Sequence, residues 1–229
     1  MTKTKELEFI ATPEKGEVSA ILMRPEAATQ LLVLGHGASS NMRTPMLATI
    51  AERLGEQNIA TFRYNFPYSE KGGGRNSQDV CIATIRSAVK AAKENCPDLP
   101  ILAGGHSFSG RMTSTAQSEM PIEGVKGLIF FSFPLHPAGE PATKRADHLS
   151  AIEIPMLFLT GTRDALAELD LLEPVVENLG KQATLHLLDT ADHSFKVLKR
   201  TRASGEDVFV EIARALRKWI DARYNSAYV

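Results

Sequence analysis

Short, mostly apolar runs alternate with longer amphipathic segments along this chain. Leu31-Leu32-Val33-Leu34, Ala60–Phe66, Ile101-Leu102-Ala103-Gly104, Val125–Phe133, Pro155–Thr160 and Thr184–Leu188 are too short for helices and read as strands buried on both faces. Between them apolar residues recur at helical spacing. Thr44-Pro45 has the form of an N-cap and first helical position, and Leu47, Ile50, Ala51 and Leu54 follow it. A helix from about Asn76 to Asn95 carries Val80, Ala83, Ala88 and Ala92 and stops at Pro97; another runs from Arg111 with no breaker until Pro121. A closing helix begins near Ser204, with Phe209, Ile212, Ala213, Leu216 and Ile220 on one side and Arg214, Arg217, Lys218 and Asp221 on the other. Ahead of all this, Leu7–Ala11 and Val18–Met23, separated by Pro13-Glu14-Lys15-Gly16, read as an antiparallel hairpin. The alternation predicts an α/β fold: a mostly parallel sheet of about eight strands, the first two antiparallel, with helices on both faces. Pro67–Gln78, holding Gly72-Gly73-Gly74, and the polar Pro134–Ser150 are expected as loops.

Composition narrows the class without choosing a function. A chain of 229 residues, 43% hydrophobic and 23% charged, is of ordinary size and balance for one globular domain. A formal net charge of −1 offers no electrostatic case for nucleic acid or an anionic membrane. The start, Met1-Thr2-Lys3-Thr4-Lys5-Glu6, lacks a signal-peptide core and no run reaches membrane-spanning length, so a cytoplasmic protein is expected. Cys81 and Cys96 fit a reduced compartment and read as buried or helix-end residues. No histidine or cysteine pair has metal-ligand spacing, so neither metal nor cofactor is expected.

The chemistry concentrates at Gly105-His106-Ser107-Phe108-Ser109, between a strand and a helix. A chain that turns sharply from strand into helix leaves its corner residue exposed, and small residues two before and two after let the backbones approach. The helix start adds unpaired N–H groups and a positive dipole end, suited to a developing oxyanion. This segment resembles the nucleophile elbow of the α/β-hydrolase superfamily, with Ser109 where the commoner pattern has a second glycine. In that fold the partners follow in the order serine, acid, histidine. Asp164 ends the strand and turn Phe158–Asp164, and His193 lies in Thr190-Ala191-Asp192-His193-Ser194-Phe195 after the last strand. Asp164 as a turn cap and His193 as a surface loop residue are the bland alternatives, and Asp189 and Asp192 compete for the acid role. Gly35-His36-Gly37-Ala38, after the first parallel strand, matches the loop that supplies a second oxyanion donor. The donors are then the N–H groups of Ala38 and Phe108, with His36 orienting the loop.

The resemblance covers nearly the whole chain. Within it, Asn65-Phe66-Pro67-Tyr68, Gly104-Gly105-His106-Ser107 and Phe133-Pro134-Leu135-His136-Pro137-Ala138-Gly139 are similar to a narrower group. That group is the hydrolase-like family of the testis-expressed protein and the NSL-complex subunit, with bacterial members often labelled dienelactone-hydrolase-like. It implies a compact body with no large cap domain, and no particular substrate. True dienelactone hydrolases use a cysteine nucleophile, and this chain carries Ser107 there.

The expected activity is therefore cleavage of a small ester or thioester by Ser107, His193 and Asp164. The alternatives are a non-catalytic interaction protein, docking through Pro134–Ser150, and acyl transfer to an acceptor other than water. His36, Gly37, His106, Phe66, Tyr68 and Phe133 are the candidate substrate contacts, core packing being the other reading of the three aromatics. His136 and His148 are candidates for the pocket mouth. Lys71–Arg75 lacks the Gly-Lys-Ser/Thr ending of a phosphate loop and reads as a solvated segment, with an anionic substrate as the other possibility. Oligomeric state is not legible.

Overall fold

The computed structural model describes residues 1–225. Eight strands form one sheet in the order β1-β2-β4-β3-β5-β6-β7-β8: β1 Thr2–Thr12, β2 Gly16–Pro25, β3 Gln30–Gly35, β4 Ile59–Tyr64, β5 Ile101–His106, β6 Val125–Phe131, β7 Met156–Gly161 and β8 Ala183–Leu188. β1 pairs antiparallel with β2, and β2 antiparallel with β4; every later pairing is parallel. The helices are α1 Pro45–Glu56, α2 Pro67–Lys71, α3 Gln78–Asn95, α4 Phe108–Glu119, α5 Leu169–Leu179 and α6 Val208–Ile220.

Two apolar layers sandwich the sheet because successive side chains of a strand point to opposite faces. Leu31, Val33, Ala103, Leu128, Phe130, Met156 and Phe158 pack toward α3, α4 and α5. Their neighbours Leu32, Leu34, Leu102, Ile129, Phe131, Leu157 and Leu159 pack toward α1 and α6. With both faces covered, the central strands need apolar residues at every position, which is why they stood out as continuous runs. Among the described residues no helix is long and apolar enough to cross a membrane.

Several boundaries differ from expectation, each for a local reason. β6 ends at Phe131 rather than Phe133, because Ser132 takes φ +57° and turns the chain. The Pro67–Gln78 loop opens with α2, whose Tyr68 N–H donates to Asn76 Oδ1 at 2.9 Å. Pro134–Ser150 holds most of a 3-10 helix, Lys144–Ala151. α5 was not expected: Pro174 sits inside it, where it lacks the N–H that would bond one turn back, yet Leu172 and Val176 are buried. α6 starts at Val208 rather than Ser204, capped by Asp207, whose carboxylate accepts from Phe209 and Val210 N–H at 3.0 and 3.2 Å. Thr44 occupies the cap position of α1 but makes no side-chain cap bond.

Candidate active site

The site gathers at the C-terminal ends of β3, β5, β7 and β8, where a parallel sheet directs all its loops to one edge. Ser107 stands between β5 and α4 with φ +53° and ψ −111°, outside the ordinary regions for a residue with a Cβ. Two backbone bonds hold that corner: Ser107 N–H to Phe131 O at 2.9 Å, and Arg111 N–H to Ser107 O at 3.2 Å. Tight packing leaves no alternative path. A methyl added at Gly104 would overlap the Ile129 carbonyl, and one at Gly110 would sit 2.8 Å from Gly105 O. Ser109, in place of the commoner glycine, is fully buried and donates to His106 O at 3.1 Å. It fits because Gly35 and Gly105 leave its side chain room: a methyl on Gly35 would come within 2.5 Å of Ser109 Cβ.

Ser107, His193 and Asp164 come together although 86 and 29 residues separate them along the chain. Ser107 Oγ lies 2.8 Å from His193 Nε2, and His193 Nδ1 lies 2.8 and 2.9 Å from the two Asp164 carboxylate oxygens. A carboxylate accepts, so Nδ1 carries the proton and Nε2 is left to accept from the serine hydroxyl. Asp164 is buried and also accepts from Leu166 N–H at 2.9 Å. The competing acids are engaged elsewhere. Asp189 accepts from Ala203 N–H at 2.7 Å, and Asp192 accepts from Ser194 and Lys196 N–H at 2.8 and 3.0 Å, shaping the His193 loop.

Two further histidines hold the loops rather than the reacting atoms. His36 Nδ1–H donates to Gly37 O at 2.8 Å, while Nε2 faces Phe66 N–H at 3.2 Å and Ser69 Oγ at 2.9 Å. This ties the end of β3 to the segment after β4. His106 Nε2–H donates to the His193 carbonyl at 2.9 Å. Burial pushes the pKa of both down to about 4, so each is neutral at neutral pH. The His106 contact with the His193 backbone was not anticipated; no local sequence signal announces a bond spanning 87 residues.

Among the described residues, the Ala38 and Phe108 N–H groups donate to no protein group. Phe108 is the first residue of α4, where helix geometry leaves N–H groups unpaired. An open depression of about 440 Å³ lies over Ser107 and His193, lined also by Gly37, Ala38, His106 and Met46.

A model of the alpha/beta hydrolase domain matches residues 28–221. This chain belongs to the alpha/beta hydrolases. Among solved structures it is similar to a dienelactone hydrolase of Anabaena variabilis, with a TM-score of 0.75 and 16% identity over 96% of this chain and 98% of that one. It is also similar to a Xanthomonas campestris serine hydrolase without a lid (TM-score 0.72, 19% identity, 96% and 94% covered). Est1E of Butyrivibrio proteoclasticus is another similar structure (TM-score 0.69, 16% identity, 94% and 97% covered). At such identities the likeness concerns the fold.

For this alpha/beta hydrolase the aromatic expectations need correction. Phe66 and Phe133 are fully buried and give no surface to a ligand. Phe133 packs on Phe130 and Phe158; Phe66 stacks on Tyr68 and meets Phe108 edge-on. They support the site from beneath: each lies two residues past its strand, β4 ending at Tyr64 and β6 at Phe131, and its ring still belongs to the core. Tyr68 does reach a surface, a second depression of about 420 Å³ lined by Ala38, Ser39, Asn41, Gly73 and Arg75. His136 is buried and contacts Glu168, so it braces the loop after Asp164 instead of lining a mouth. His148 is half-buried, its Nε2 2.7 Å from Ser114 Oγ on α4. Cys81 and Cys96 are buried, and burial pushes the Cys81 thiol up to about 11, away from thiolate chemistry.

Proposed function

We propose that this protein is a serine hydrolase that cleaves a small ester or thioester through an acyl-enzyme. The observation that carries the reading is the continuous line of contacts from Asp164 through His193 to Ser107, each between 2.8 and 2.9 Å. His193 Nε2 takes the Ser107 proton as Oγ bonds the carbonyl carbon, and the carbonyl electron pair moves onto oxygen. The Ala38 and Phe108 N–H groups hold that oxyanion. Collapse breaks the bond to the leaving oxygen or sulfur, which departs with the proton from His193. Water then gives a proton to His193 and its hydroxide to the acyl carbon; collapse returns the proton to Ser107 and frees the acid. Asp164 keeps the imidazole in the tautomer this cycle needs.

The site is shallow and open, which favours short acyl groups over lipids. Labelling with a fluorophosphonate probe tests the reading: wild-type protein should label and Ser107→Ala should not. A folded wild-type protein that stays unlabelled would overturn it and favour the interaction protein.

A further inference from the structure

Three arginines from separate segments approach α4: Arg75 sits on the Phe108 ring, Arg111 is on the helix itself, and the 3-10 helix that carries Arg145 is tied to α4 by His148 and Ser114. Arg75 comes from the glycine-rich stretch before α3, Arg111 from the first turns of α4, and Arg145 from the 3-10 helix. The Arg75 guanidinium carbon lies 5.1 Å from the centre of the Phe108 ring, on a residue whose N–H is one of the two proposed oxyanion donors. Arg75 also lines the 420 Å³ depression together with Ala38, the other donor. Arg111 follows Ser107 by four residues, about 6 Å along the helix. Side chains on a helix lean toward its N-terminus, so the Arg111 side chain is directed back toward Ser107.

None of the three forms an ion pair or donates a side-chain hydrogen bond to another described residue. Arg111 is half-buried, and its pKa is pushed down by burial and then by the charges of Arg145 and Arg75. An arginine stays protonated regardless, so the repulsion is a standing cost of the fold. Most other arginines have protein partners: Arg24, Arg43, Arg53, Arg202, Arg214 and Arg217 each meet a carboxylate, and Arg63, Arg86, Arg163 and Arg223 donate to carbonyl oxygens.

We infer that Arg75, Arg111 and Arg145 form an anion subsite for the acyl part of the substrate, which therefore ends in a carboxylate or a phosphate. The assignment to the acyl side rests on the hydrolase reading above. His193 protonates the leaving group, so that group departs on the His193 side. Arg75 lies on the Phe108 side, where the acyl part remains, with the charges of Arg111 and Arg145 close to it. Planar guanidinium groups match the oxygens of a carboxylate or phosphate in paired hydrogen bonds.

Two esters of equal chain length decide the question: mono-4-nitrophenyl adipate, ending in a carboxylate, and 4-nitrophenyl hexanoate, ending in a methyl. In wild-type protein kcat/KM should favour the adipate ester by about tenfold or more at low salt. That ratio should fall about tenfold in Arg111→Gln and in Arg75→Gln, and hold in Lys3→Gln, which removes the same charge at the far edge of the sheet. A wild-type ratio of one or less, or a ratio that Lys3→Gln lowers as much as Arg111→Gln, overturns the subsite. Calorimetry with free adipate and with inorganic phosphate reads the subsite without turnover. Binding lost in Arg111→Gln sustains it, and the tighter ligand tells carboxylate from phosphate. Absence of binding by both overturns it. If neither ester is cleaved and the probe does not label Ser107, the hydrolase reading fails, and calorimetry alone judges the subsite.

Discussion

Two glycine-rich stretches sit at the same edge of the sheet and are built in opposite ways. In Gly104-Gly105 and Gly110, around the elbow, a methyl would collide with backbone: with Ile129 O at Gly104, and at 2.6 Å from Gly35 O at Gly105. In Gly72-Gly73-Gly74, which leads to Arg75, a methyl would meet nothing within 4 Å. The first stretch uses glycine because chains must touch, and it fixes a strained serine. The second leaves open space beside Arg75, which, like Arg111 and Arg145, meets no carboxylate among the described residues. Alignment of Ser107, His193 and Asp164 is set during folding. Completion of the charge pattern is left to a ligand.

That contrast can be broken at several points. The largest effect is expected on the ordered side: Asp164→Asn should lower kcat by roughly 10⁴-fold, the loss seen when the wrong imidazole tautomer is held. Circular dichroism should be unchanged. Retained activity would mean that Asp164 only caps its turn. In stability, Gly104→Ala should cost about 3 kcal/mol or more, since the overlap is with backbone that cannot move aside. Urea denaturation would measure it, and a loss below 1 kcal/mol would show the elbow to be looser than described.

A smaller effect comes from pH. His36 and His106 have folded-state pKa values of about 4, below the unfolded value of about 6.5. As pH falls below 6.5 the unfolded chain takes up their protons first, so stability is lost down to about pH 4. His106→Gln keeps a donor for the His193 carbonyl without the titration. It should recover on the order of 2 kcal/mol of that loss at pH 4.5. A stability profile parallel to wild type would place the acid sensitivity elsewhere. The smallest effect belongs to the open stretch, where Gly74→Ala should change stability by less than about 1 kcal/mol in either direction. A large loss there would remove the contrast.

Patterning along the chain was enough for the sheet, the opening hairpin and the order serine, acid, histidine. Each rests on a local rule: apolar runs for strands buried on both faces, and small residues around a sharp corner. Helix α5 escaped because Pro174 breaks the local rule while Leu172 and Val176 satisfy a tertiary one. Phe66 and Phe133 looked like pocket walls because they follow strand ends at the right edge. Their burial depends on Phe108, Phe130 and Phe158, which no local pattern reveals.

The amino-acid sequence by itself determined the α/β class, the elbow at Ser107 and the short set of candidates for its two partners, because those follow from periodicity and chain order. Only the tertiary structure decided which acid meets His193, what His106 touches, and that Arg75, Arg111 and Arg145 share a neighbourhood. Hydrogen bonds and charge repulsion act across distances of a few ångströms in space. Residues that meet at that range here lie tens of positions apart in the chain, and no local rule links them.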